Sequence, residues 1–224
     1  CLVVALLLPH MSHPSPRPRR AQFANNLKQI SLALLCYHTE HGSFPPAYIA
    51  DEDGQPMHSW RVLILPYLEE TNLYEQYDFN EPWDGPNNSL LHDHVVSMYG
   101  CPSDMSGANT TNYLAVVGPN TAWPGETGLS IEQIKDGTAK TILLVEVHDS
   151  GIHWMEPRDL DDSTTSTTVN QGPPGRTISG NHGPLVNVAF ADDSVRFLSG
   201  NTPGTTVRAL LSANGGEEVD LDDL

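Results

Sequence analysis

Apolar positions along this chain change their period once, near residue 110. In "AQFANNLKQISLALLCYHTEHG" the residues Phe23, Leu27, Ile30, Leu34 and Tyr37 or His38 recur every three or four positions, so they share one stripe of an α-helix. Gly42 closes that helix as its C′ residue, and "SFPP" keeps it closed. The preceding "PHMSHPSPRPRR" holds four prolines and reads as a linker, because an interior proline removes a backbone donor and clashes with the preceding turn. Further on, Ser59 is expected to cap a helix over "WRVLILPYLEE", which Pro66 kinks or shortens, and Thr71 opens another over "NLYEQY". "LLHDHVVSMYGCPSD" reads as a short helix running into an extended link.

From residue 111 the pattern turns toward strands. "TNYLAVVG", "KTILLVEV", "IHWMEP", "LVNVAFA" and "SVRFL" are short runs of Val, Ile, aromatic residues and Thr between Gly, Pro, Asn and Asp. "SIEQIKDG" predicts a short helix or turn, and "DLDDSTTSTTVNQGPPG" a long mobile loop. A short helix through Arg208 to Ala213 precedes a Gly-Gly stop and an acidic end. The expected fold is α+β: a long N-terminal helix packed on a C-terminal antiparallel sheet with long loops. Residues 1–19 would be an apolar segment and linker, and 20–224 one domain: helix about 20–41, loops and short helices about 43–110, a β-rich region about 111–200, then the helix and tail.

At 224 residues the chain can bury roughly two-thirds of its unfolded surface, so size does not force disulfides on it. Eleven Lys and Arg against 28 Asp and Glu give a formal charge of -17, which repels phosphate backbones and excludes nucleic acid as an expected partner. The opening "CLVVALLLPHM" has eight apolar residues where a membrane helix needs about 20. It reads as the tail of a longer apolar helix or of a signal peptide. Cys1, Cys36 and Cys101 form no C-x-x-C pair, and one Cys36–Cys101 bridge is open to the chain in an oxidising compartment.

Candidate chemistry is sparse. Ten histidines include the close pairs His38/His41 and His92/His94, yet no H-E-x-x-H occurs. Ser179, His182 and Asp192 are the nearest approach to a hydrolase set, without a G-x-S-x-G elbow. Oxygen ligands for Ca²⁺ are the richer resource, with Glu156, Asp159 and Asp192 as candidates. No other cofactor is expected. In "NHGPLVNVAFADDSVRFLSG" the alternation of Val186, Val188 and Phe190, followed by Val195 and Phe197, predicts a hairpin. Asp192 and Asp193 would form its two-residue turn, where a positive φ is needed, and His182 would cap the strand entry through a backbone carbonyl or the Asp192 carboxylate. Trp60, Trp83, Trp123 and Trp154 lie in or near polar loops and read either as core anchors or as platforms for a sugar.

Taken in order, "RRAQFANNLKQISLALLCYHTEHGSFPPA", "SWRVLILPYLEETNLYEQYD", "EPWDGPNN", "YGCPSD", "TNYLAVVGP", "DGTAKTILLVEV", "WMEPRDL", "GNHGPLVNVAFADDSVRFL" and "LLSANGGE" resemble the successive motifs of a large planctomycete family with a domain of unknown function. Its members carry a prepilin-like N-terminus and a C-terminal signature of His, nine residues, then Asp-Gly. The resemblance runs from about residue 20 to the end. It implies a relative of type IV pilins and type II secretion pseudopilins, with a membrane-born helix as filament spine and a sheet-bearing head, and "LVVALLLP" looks like the end of the apolar half of that helix. The processing Gly, the following Phe and the assembly Glu are absent from this sequence. Where the family often has Cys ahead of "NNLKQI", this chain has Phe23, so a bridge from there to Cys101 is lost and Cys36 is the substitute. The signature residues are His182, Asp192 and, in place of Gly, Asp193.

The leading expectation is therefore a non-catalytic, pilin-like structural or secretion-associated protein of the cell envelope. Its partners would be pilin-like or secretion-system subunits or further copies of itself. It would meet the membrane only through a missing or degenerate N-terminal helix, and would sit at the inner membrane or in the periplasm if an intact leader precedes Cys1. An extracellular module binding carbohydrate or another solute is the alternative, and a hydrolase using His182 and Asp192 the third reading.

Overall fold

The computed structural model describes residues 16–100, 107, 109–173, 175–181 and 183–221. The chain begins with α1 (Pro16–His41), followed by β1 (Tyr48–Ala50), β2 (Pro56–Ser59), α2 (Trp60–Leu63) and α3 (Thr71–Gln76). Then come β3 (Tyr113–Leu114), β4 (Val116–Val117), β5 (Ile142–Glu146), β6 (Leu160–Asp161), β7 (Leu185–Phe190), β8 (Val195–Ser199) and α4 (Gly204–Leu211). The fold is α+β as expected.

The helix α1 starts at Pro16, inside the stretch expected to be a linker. Pro16 and Pro18 fall in its first turn, where the amide hydrogens have no intrahelical acceptor, so their missing N–H groups break no bond. Phe23, Leu27, Ile30 and Leu34 are all buried, which confirms the predicted stripe. Gly42 ends the helix with φ +80° and donates its N–H to His38 O at 2.8 Å. The second predicted helix is cut short by Pro66 as anticipated: Ser59 Oγ accepts the Arg61 N–H, α2 lasts one turn, and Leu65–Leu68 continue as a 3₁₀ turn.

The main sheet has the order β3-β5-β7-β8, antiparallel throughout. Both of its faces are covered. On one side α1 packs with Tyr113, Leu143, Leu144 and Ala189; on the other Leu114, Val145, Val186, Val188, Phe190 and Leu198 meet Val207, Leu210 and Leu211 of α4. A register shift between Ile142 and Leu144 lets Leu143 and Leu144 both serve the helical side before Val145 returns to the other, the local effect of a bulge. Between β7 and β8, Phe190 N–H bonds Ser194 O and Asp193 N–H bonds Phe190 O. The loop is therefore three residues long, with its single positive φ (67°) at Asp193, one residue more than predicted.

Two other expectations are corrected. "IHWMEP" forms no strand but a turn with one isolated bridge, Thr110 to His153, because the Trp154 and His153 side chains are spent on neighbouring loops. The 159–173 segment is built rather than bare: β6 pairs in parallel with β4, Asp161 caps Ser163, and Val169 is fully buried. Among the described residues no helix is long and apolar enough to cross a membrane.

Candidate functional site

The β7–β8 turn is held between two partners. Its Ala191 and Asp192 amides donate to Thr141 O and Thr138 O, which seats it on the "DGTAKT" segment. On its other side Lys28, from the "NNLKQI" turn of α1, donates to Asp193 O at 2.6 Å and pairs with the Asp193 carboxylate. Asp in the left-handed region costs on the order of 1 kcal/mol relative to Gly. The side chain offsets part of that cost by reaching Lys28, a contact that a glycine could not make. Asp192 caps the turn by accepting the Ser194 N–H at 2.9 Å. His182 lies outside the described residues.

A deeply buried pair of opposite charges lies elsewhere. Arg61 and Asp159 form an ion pair at 2.5 Å with side chains 0% and 2% exposed. The Asp159 carboxylate also receives the Trp60 indole N–H and the Ala115 amide, while Arg61 reaches Ser59 Oγ and Tyr113 O. Burial pushes the Asp159 carboxyl up, and Arg61, the Ala115 amide and Trp60 oppose it. This network joins the "SWR" and "EPRDL" motifs across 98 residues of sequence. It also commits the Asp159 carboxylate to Arg61, Trp60 and Ala115. Glu156 pairs instead with Arg158 at the surface, and Asp192 sits in the hairpin turn. Among the described residues no three His, Cys, Asp or Glu converge as metal ligands.

A third carboxylate closes the C-terminal loop. Asp136 accepts the Gly215 and Gly216 amides at 2.8 and 2.7 Å and the Ser212 hydroxyl at 3.0 Å, so "KDG" is tied to "SANGG". A fourth, Glu146 on β5, is buried and receives two N–H groups from Asn187 on β7. Neither Arg61, Lys28, Asp136 nor Glu146 stood out in the sequence, although an arginine inside the apolar run "SWRVLIL" was a signal of a buried charge needing a partner.

Three of the four tryptophans are core anchors. Trp60, Trp123 and Trp154 are at most 1% exposed, and their indole N–H groups donate to Asp159, Leu143 O and His94 O. Trp83 is half-buried and stacks on His92 and His153, whose rings lie 4.7 Å apart. The His153 ring is committed as neutral: its Nδ1 accepts the Met155 N–H and its Nε2 faces His92 O, and burial pulls its pKa down. Cys36 is a free, exposed cysteine, and Cys101 lies outside the described residues.

With that geometry in place, comparison with known proteins adds one finding. Residues 15–130, more than half of the chain, match the model of a family described as a protein of unknown function, DUF1559. The chain belongs to the DUF1559 family. No curated protein and no solved structure matches it. The DUF1559 match takes in Lys28 and Arg61, whereas their partners Asp193 and Asp159 lie beyond it. Among the described residues, the matched and unmatched parts of this DUF1559 chain are thus bound by an ion pair at the surface and another in the core.

Proposed function

We propose that this DUF1559 chain is a non-catalytic, pilin-like structural or secretion-associated protein of the cell envelope, acting through contacts with like subunits. The observation that carries the reading is α1: an N-terminal helix laid by one apolar stripe along an antiparallel sheet, and pinned to the hairpin tip through Lys28 and Asp193. The family motifs are consistent with it, because their charged residues are spent on joining segments. Asp159 holds Arg61, Asp136 holds the Gly-Gly loop, and Asp193 holds Lys28. The reading places the sheet-bearing head outside the cytoplasm.

Fractionation of cells carrying the full-length gene, followed by in-cell formaldehyde cross-linking, tests this reading. Envelope recovery and a ladder of cross-linked species that contain the chain are expected. Recovery of an uncross-linked monomer in the cytosolic supernatant would overturn it. His182→Ala separates the hydrolase reading, since a structural role predicts a lower unfolding midpoint with no associated activity to lose.

A further inference from the structure

The C-terminal half of α4, the 118–121 turn, the exit of β6 and the Gly-Gly loop border a cleft of about 280 Å³. The backbone of every contributing segment is fixed. Ala213 N–H bonds Asn120 O at 2.8 Å, Asp136 holds the Gly215 and Gly216 amides, and Arg208 bonds Asp162 O at 3.1 Å as well as its carboxylate. Four of the side chains facing the cleft are the opposite case. Among the described residues the Asn120 and Asn214 amides and the Glu217 carboxylate have no protein partner, and Arg208 keeps donors beyond those it gives Asp162.

Fixed backbone with uncommitted polar ends is the arrangement that binds at low ordering cost. Its chemistry narrows the ligand. An amide, a carboxylate or a guanidinium presents two polar atoms side by side, which suits two neighbouring hydroxyls that each donate and accept. Leu211 adds a buried apolar patch for the C–H face of a ring. Asp162 and Glu217 outweigh Arg208, so phosphates and carboxylates are disfavoured, while the amide N–H groups and Arg208 disfavour a bare cation. We propose that this cleft binds a neutral saccharide, recognised by Asn120, Asn214 and Glu217. The binding does not depend on the tryptophans and is independent of the envelope reading.

The test is a titration of the full chain with glucose, galactose, mannose and N-acetylglucosamine, followed by the side-chain amide resonances of its asparagines. A dissociation constant on the order of millimolar is expected for a monosaccharide, with the Asn120 and Asn214 amides shifting. Asn120→Ala and Asn214→Ala should each weaken binding about tenfold while leaving the melting temperature unchanged, since neither side chain supports the fold. Three results overturn the proposal: no sugar of the panel moving these amides up to about 50 mM, well above that range; an affinity unchanged in both variants; or tighter binding of inorganic phosphate or glycine than of any sugar.

Discussion

Arg61 shows how a single residue can be costly and necessary at once. Burying a guanidinium and a carboxylate costs several kcal/mol each, and that cost is recovered only if every remaining donor and acceptor is met. The network meets most of them, with Arg61 Nε left without a partner. Arg61→Met should therefore destabilise the protein by about 3–5 kcal/mol, because it strands Asp159 in the core. The double variant Arg61→Met with Asp159→Leu should recover much of that loss. Urea unfolding of the parent, Arg61→Met, Asp159→Leu and the double variant measures it, and a double variant as unstable as the sum of the two single losses would show that the two charges do not compensate each other. Asp193 is the gentler case. Its left-handed backbone was legible from the sequence, since a tight turn between alternating strands calls for a positive φ and Asp is one of the residue types that tolerates it. The lysine it meets was not legible, because nothing in a one-dimensional pattern links positions 28 and 193.

At the scale of elements, periodicity served well where one face is dry and one is wet. The α1 stripe follows directly from it. It served poorly where both faces are covered, as on β5, whose five residues are all buried and whose bulge breaks the alternation. It failed for the 159–173 segment, where order comes from Asp, Ser and Thr side chains capping their own backbone together with the burial of Leu160 and Val169. The helix offers a clean comparison. Leu27 is fully buried and Leu32 is 52% exposed, five residues apart on the same element. Leu27→Ala should cost about 2–5 kcal/mol through lost burial and the cavity left behind, and Leu32→Ala should stay within about 0.5 kcal/mol of the parent. Thermal and urea midpoints of the two variants check both values.

For the whole molecule, the net charge of -17 sets the surface, but the response to mild acid is set inside. His58 is buried against Tyr77, with Nδ1 2.9 Å from the phenolic oxygen, and burial lowers its pKa as it does that of His153. A histidine whose folded pKa lies below its unfolded value of about 6.5 binds its proton more readily in the unfolded chain. Its contribution to stability is whole above that pH and is lost as the pH falls from there through the folded value. Unfolding free energy should thus be flat between pH 7 and 8 and decline below about 6.5, by up to ~1.4 kcal/mol per pH unit for each histidine. His58→Gln and His153→Gln should each flatten that slope. A slope unchanged in both variants would assign the acid response to other groups.

The contact between Lys28 and Asp193 closes a loop of 165 residues, and the strands beneath α1 come from the same distant part of the chain. During synthesis at about 5–20 residues per second, the helix would leave the ribosome roughly 8–30 s before its covering sheet exists. Its apolar stripe waits in that interval with the 65–68 turn in place but without the sheet that covers most of it. The yield in a heterologous host should therefore depend on the pace of translation more than on the stability of the finished fold.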